Sequence, residues 1–426
     1  MRAEAPTTAD DAPDAHATLR PQKRRRRRRK ILLALLLLLL LSQAPFVYRR
    51  YQLARLRADI NALEATRTDA SAADPYTDYK GVFHVHSSLG GHSTGTLAEI
   101  VAAARANALN FVVMTEHPAR EVDTTEATLK GSHEGVLFLN GSELSVPGDE
   151  RLFVVPGLAS SESGAHTSLQ SLVTRAREEG RLSFIAYPEQ IRDWTLEGYD
   201  GIEVYNLYTN TKRINYARLF FDGLWSYGSY PDLLFATFYE KPTDNLKRWD
   251  ELTTAGRRVV ALAGVDAHQN VGFDSRFFNF KLDPYERSFR VVRMHALLSK
   301  SEPLDAETFA AALRRGHCYI AFDLFCDATG FRFTAARADD RQEHLMGDEI
   351  ALHATGGGLR LHVSTPVRAR IVMLRDGRVI HEANDSARVE LTVAEKGVYR
   401  VEVYLDRLGD FLVGKPWIIS NPIYVR

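Results

Sequence analysis

Phe83-His84-Val85-His86-Ser87 is the stretch around which the chain arranges its chemistry. On an extended backbone successive side chains alternate, so His84 and His86 point to one face. Val82, Phe83 and Val85 favour a pleated, buried setting, which predicts a strand over residues 82–85. Two imidazoles side by side at a strand end make half of a metal site. The turn that follows, Leu89-Gly90-Gly91, lets the backbone fold back and returns His92 toward the same point.

Outward from that strand, apolar runs alternate with helical patterns. Strands are predicted over 82–85, 110–115, 136–140, 152–155, 182–186, 201–205 and 259–263, and helices over 97–106, 169–179 and 308–315. Such alternation argues for parallel strands joined by helical crossovers, hence a barrel or a doubly wound sheet. Beyond about residue 330 the texture changes to short strands at 359–363, 370–374, 387–393 and 397–404, separated by turns such as Asp376-Gly377 and Asn384-Asp385. That pattern predicts an all-β sandwich.

Polar residues cluster just after the strands of the first part. In order they are His84, His86, His92, Glu116-His117, Glu143, Tyr187, Glu203 with Asn206, Asp266 and His268. Each group follows an apolar run, as in Val113-Met114-Thr115-Glu116-His117 and Ala263-Gly264-Val265-Asp266-Ala267-His268. In (β/α) barrels that edge carries the active site. So many imidazoles and carboxylates are costly to bury unpaired, and a shared set of cations removes the cost. Imidazole with carboxylate suits Zn²⁺, Mn²⁺ or Fe²⁺, and Glu143 is placed to bridge two ions. The isolated histidines His133, His166, His295 and His317 are expected to be structural.

The motifs His84-x-His86, Thr115-Glu116-His117, Gly141-Ser142-Glu143, Tyr187-Pro188 and Gly264-Val265-Asp266-Ala267-His268 resemble those of the polymerase and histidinol phosphatase (PHP) superfamily, in the same order, over residues 80 to about 328. The C-terminal Lys415-Pro416-Trp417 region is similar to its carbaryl-hydrolase-like branch. The resemblance implies a distorted seven-stranded (β/α) barrel of PHP type, followed by the all-β sandwich. It also implies a metal-dependent hydrolase, first a phosphoesterase and alternatively a carboxyl-ester or carbamate hydrolase, using a metal-activated water. Carried over, His84, His86, Glu143 and Asp266 would hold one divalent ion, and His92, His117 and His268 would hold or flank a second. Two departures stand out. Glu116-His117 replaces the usual Asp-His, and Tyr187-Pro188 replaces His-Pro, which weakens a third ion position. The expected cofactors are therefore two or three divalent ions (Zn, Mn or Fe). Asp266, Glu116 and Tyr187 are the candidate catalytic residues, the acids for proton transfer and Tyr187 for a substrate oxygen. Arg192, Lys212, Arg213 and Arg276, on loops after strand ends, are candidates for binding phosphate. A catalytically inactive, anchored binding module is the competing class.

Bulk properties bound these readings. The 426 residues allow about two or three domains. The 54 basic and 54 acidic residues cancel, so no global charge draws nucleic acid. Without a basic groove in the catalytic segment, the expected substrate is a small ester or phosphate ester. Locally, the basic run at 23–30 precedes a leucine-rich run reaching about Val47. That run is roughly 17 residues long, the lower limit for a bilayer span. Ser42-Gln43-Ala44 resembles a signal-peptide cleavage site, but Pro45 is a poor neighbour for cleavage, which favours a retained anchor. Basic residues before the span exceed Arg49, Arg50, Arg55 and Arg57 after it, so the N-terminus is expected in the cytoplasm, and the body outside the inner membrane, in a periplasm. The expected organisation is a disordered basic segment at 1–30, a transmembrane anchor at 31–48, a stalk helix and linker at 49–78, the metallohydrolase domain at 79–328 and the β-sandwich at 329–426. Leu53, Leu56, Ile60 and Leu63 form the apolar stripe of the stalk. Cys318 and Cys326 are too far apart to bridge if a strand lies between them.

Overall fold

The computed structural model describes residues 20–69, 73–159, 168–212, 215–275, 278–337, 343–352 and 358–426. Its strands, in chain order, are β1 (Tyr76–Val85), β2 (Phe111–Glu116), β3 (Gly131–His133), β4 (Val136–Ser145), β5 (Arg151–Val155), β6 (Leu182–Ala186), β7 (Gly201–Asn206), β8 (Val260–Gly264), β9 (Gly272–Ser275), β10 (Phe278–Lys281), β11 (Arg293–Ser299), β12 (Cys318–Ala321), β13 (Arg332–Arg337), β14 (Glu343–Leu345), β15 (Glu349–Ile350), β16 (Leu359–Arg375), β17 (Arg378–Val393), β18 (Gly397–Tyr404), β19 (Ile418–Ser420) and β20 (Ile423–Val425). Of the segment 1–30, read from sequence as disordered, residues 1–19 lie outside the described residues, as do His166, Arg213 and Arg276, whereas residues 20–30 belong to the helix Arg20–Ser42.

Eighteen of these strands join in one mixed sheet, and β9 with β10 forms a separate ribbon. This overturns the expected seven-stranded (β/α) barrel with a separate sandwich. Only part of the sheet follows the parallel rule. β1, β2 and β4 run parallel, as do β6, β7 and β8. Between them, β4, β5 and β6 are antiparallel. The link from β4 to β5 is the short turn around Val146-Pro147-Gly148-Asp149, too short for a crossover helix, so the strands must pair as a hairpin. On its other side β1 pairs antiparallel with β11, and β11 with β12. The sheet then passes through β12 and β19 to β18, so the C-terminal strands are an extension of it.

Local chemistry sets the helices that cover this sheet. Leu97–Ala106 starts at a capping box in which Thr96 and Glu99 satisfy each other's backbone amides. Ala306–Arg315 does the same through Asp305 and Thr308, and stops at Gly316, whose φ of 80° favours glycine. Among the described residues one helix, near the N-terminus, is long and apolar enough to cross a membrane. It turns at Gln43 between Arg20–Ser42 and Ala44–Glu64, with Pro45 in the first turn of the second piece. Its leucines are exposed, whereas Leu53, Leu56, Ile60 and Leu63 are buried in the main core. The stalk therefore lies against the body, and Glu64 accepts the Asp327 amide there.

Asn421 locks the C-terminal strands to the first half of the sheet. Its side chain accepts the Ala261 amide at 2.8 Å and donates to the Cys318 carbonyl at 2.8 Å and the Ala261 carbonyl at 3.3 Å. These groups are buried, and no water can replace Asn421 without a rearrangement. Asn421→Ala is expected to destabilise the chain by about 2–4 kcal/mol. A urea midpoint within error of wild type would contradict this.

Candidate metal centre

Strand β1 is not regular where the imidazoles begin. His84 has a φ of 70°, and the β1–β2 register shifts between Phe83 and Val85. Simple alternation therefore does not align His84 with His86. A left-handed kink does, bringing the two rings to 5.0 Å. Tyr187 (φ 46°) and Asp266 (φ 48°) are left-handed as well. Such residues cost about 1–2 kcal/mol each, and the surrounding contacts must hold them.

The kinks aim the side chains at one point. His84 Nε2 lies 3.0 Å from Glu143 Oε2 and 3.2 Å from Asp266 Oδ1. His86 Nε2 lies 3.2 and 3.5 Å from the same two oxygens. His117 Nε2 is 3.9 Å from Glu143 Oε2, and His268 Nδ1 is 3.3 Å from Asp266 Oδ1. The rings of His117 and His268 each stack against His86, at 4.5 and 4.3 Å, and lie 6.4 Å from one another. Six of the seven ligands read from sequence thus converge. The seventh, His92, is exposed at the rim, with its ring 4.8 Å from His117.

The outer carboxylate oxygens are held separately. Arg151 donates to Glu143 Oε1 at 2.6 Å, and the Tyr187 hydroxyl donates to Asp266 Oδ2 at 2.7 Å. Glu203 Oε1 lies 2.6 Å from His84 Nδ1, and Asn206 donates to Glu203 and Asp266. Partners of this kind orient ligands in metal sites. Gly264 makes room for them, because a Cβ there would sit 1.9 Å from Glu203 Oε1 and 2.7 Å from the His84 Cβ. Arg151 had no part in the sequence reading. Its available signal was a charged residue two positions before Phe153 on a strand otherwise fully apolar.

The inner face of the cluster fits a divalent cation. Both nitrogens of His86 and Asp266 Oδ1 are buried without a hydrogen-bond partner. Ligand atoms of His84, His86 and Asp266 converge closely enough to share an ion, as do those of His86, His117 and His268. Burial and neighbouring His86 push His117 down to about 3 and His268 down to about 4, so both are neutral and free to ligate. Burial alone would lower His84, yet Asp266, Glu203 and Glu143 hold it well above the ordinary range. Burial likewise works against ionised Glu143, but His84 and His86 keep it well below the usual carboxylate range. Glu203 is pushed up to about 7, mainly by burial. The cluster thus demands positive charge in its middle.

Glu116 faces a different task from the proton transfer read from sequence. Its carboxylate accepts the Ser87 amide at 3.0 Å and the Thr128 hydroxyl at 2.9 Å, fixing the turn after His86. Arg192 binds the Gly148 carbonyl, and Lys212 lies 4.8 Å from the Tyr208 ring. Tyr208 in turn is 6.4 Å from His268, so Lys212 stands near the mouth.

Other charged clusters do not have this character. His295, Asp323 and Asp327 are close together, but their atoms are already paired with Asp78, Arg293, Lys80 and Thr329. Burial alone would lower His295, whereas Asp323 and Asp78 raise it to about 9. A surface cleft of about 940 Å³ lies away from the imidazoles between the helix Thr243–Thr254 and strands β16 and β18. Its charges pair internally, as Lys241 with Glu402 and Arg400 with Asp250.

No family profile and no curated protein matches this chain. Among solved structures, PsfC from Pseudomonas syringae PB-5123 is similar at 14% identity, covering 58% of this chain and 92% of that chain, with a TM-score of 0.36. At that level the likeness carries no argument.

Two tests follow from the geometry. His84→Ala is expected to abolish tightly bound divalent metal in the purified full chain, whereas Glu116→Gln should retain it and cost about 1–2 kcal/mol of stability. Metal analysis showing the reverse order would reassign Glu116 to the centre. For His295 the folded value of about 9 lies above the ordinary 6.5, so its stabilisation is complete below about pH 6.5 and lost as pH rises through 9. The gap in urea midpoint between wild type and His295→Gln should therefore narrow from pH 6 to pH 9.5; a constant gap would refute the charged state of His295.

Proposed function

We propose that this chain is a metal-dependent hydrolase acting on phosphate esters, anchored in a membrane by its N-terminal helix. One observation carries the reading: two buried carboxylates present their inner oxygens to four imidazoles, with His86 and Asp266 Oδ1 lacking hydrogen-bond partners. The motif set that resembles the PHP superfamily supports phosphorus over carbon as the reacting centre. His84, His86, Glu143 and Asp266 would hold one divalent ion, and His117 and His268, with His92 at the rim, a second. Such ions, when bound, polarise the ester and make water acidic enough to react near neutral pH.

The protein's own groups do the rest. Arg151 and Tyr187 hold the outer oxygens of Glu143 and Asp266, so the inner ones stay turned toward the imidazoles. Burial and the Asp266 charge keep the Tyr187 phenol protonated, which makes it a donor and not an anionic ligand. Lys212 and the Tyr208 ring stand where an anionic substrate would enter. For the anchor, the basic run before the leucines favours a cytoplasmic N-terminus and an extracytoplasmic body.

The full chain loaded with Mn²⁺ or Zn²⁺ should hydrolyse a chromogenic phosphodiester or phosphomonoester, and a chelator should remove the activity reversibly. Tyr187→Phe is expected to lower kcat about tenfold while metal content stays unchanged. Turnover of carboxyl esters alone would replace the phosphoesterase reading. Stoichiometric metal without turnover of any ester would favour a binding module.

A further inference from the structure

Helix Tyr216–Ser226 carries an apolar stripe that stays largely exposed among the described residues. Tyr216, Phe220 and Leu224 recur at a spacing of four, so they share one helix face, and they are 75%, 55% and 65% exposed. Trp225 beside them is 40% exposed. A contiguous aromatic and aliphatic surface of this kind marks an interaction site.

Its neighbour identifies the occupant. Phe46, at the far end of the apolar N-terminal run, packs its ring 5.4 Å from Phe220, 4.9 Å from Phe221 and 5.9 Å from Trp225. One turn on, Arg49 grips the buried Asp222 carboxylate with two bonds of 2.6 and 2.8 Å. Arg50 reaches the Trp225 carbonyl and the Ser229 hydroxyl. The exposed stripe is therefore fixed rigidly beside the end of the candidate span.

Depth then follows from length. The apolar run of roughly 17 residues covers about 26 Å as a helix, less than the ~30 Å hydrocarbon layer. Phe46 consequently lies at the boundary of hydrocarbon and headgroups, with the exposed Tyr48 and Tyr51 just beyond it. Aromatic side chains concentrate at that level. Whatever is bolted to Phe46 shares its depth.

We propose that the Tyr216, Phe220, Leu224 and Trp225 face is a second membrane contact, seated in the lipid interface beside the anchor; this rests on the helix being a retained span. The body then lies down on the bilayer instead of swinging on a tether, and Arg49 with Arg50 fixes its tilt.

The test uses the full chain in phosphatidylcholine–phosphatidylglycerol vesicles. Because Cys318 and Cys326 are buried, single cysteines introduced by Leu36→Cys, Leu224→Cys and Val379→Cys accept an environment-sensitive dye selectively. The proposal expects blue-shifted emission, quenched by nitroxide-bearing lipids, at positions 36 and 224, with position 379 in water. Position 36 in lipid but position 224 in water would overturn the contact and leave the anchor standing. A blue shift at 224 without lipid quenching would assign the face to a second copy or another protein instead. Position 36 in water would sink the anchor and this contact with it.

Discussion

Two buried carboxylates that face each other across a shared group of imidazoles are the constraint on which this structure depends. Glu143 sits on β4 and Asp266 two residues past the end of β8, and neither can remain ionised in the interior unless positive charge lies between them. His84 and His86 supply part of that charge, since the neighbouring carboxylates hold His84 well above the ordinary imidazole range and raise His86 as well. Nearby His117 and His268 remain neutral, which suits lone-pair donation. Such a balance fits a divalent cation, and Arg151, Tyr187, Glu203 and Asn206 hold the outer edge of the cluster.

Strain is concentrated at the same place. His84, Tyr187 and Asp266 all adopt left-handed backbone, which L side chains avoid. Each stands immediately after a strand or at its bulge, where the chain must turn a side chain inward without lengthening a loop. Gly264 contributes by absence, since any side chain there would displace Glu203 and His84. The sheet absorbs the cost. Asn421 holds β8 and β12 from the C-terminal side, and Glu116 clamps the turn after His86. The residues that stabilise the fold and those that shape the site are therefore neighbours with different tasks.

The N-terminal helix joins this economy. Its leucines are exposed while its stalk stripe is buried in the same core as β1 and β2. A helix bound so closely orients the body, and the Arg49–Asp222 pair, with its aspartate fully buried, is a geometric lock more than a source of net stability.

Much was legible in the residues alone. The 3.6 and 2.0 periodicities placed helices over Leu97–Ala106 and Leu169–Glu178 and strands at β2, β6 and β18 within a residue or two. The clustering of His84, His86, His117, Glu143, Asp266 and His268 was anticipated from their places at the ends of apolar runs, and their side chains come close together in the fold. Arrangement was not. Whether β5 runs with or against β4, and whether β12 pairs with β19, is settled by hydrogen bonds between distant segments that leave no local pattern. For that reason the expected seven-stranded barrel became part of an 18-stranded mixed sheet. Likewise Glu116 read as an active-site acid from its place beside His117, and only the folded backbone turned its carboxylate to Ser87 and Thr128. Sequence by itself determined several of the helices and strands and the grouping of imidazoles with acids after apolar runs, since both follow from neighbouring residues. The tertiary structure decided strand pairing, the convergence of His84, Glu143 and Asp266, and the roles of Arg151 and Asn421, since each depends on contacts between residues far apart in the chain.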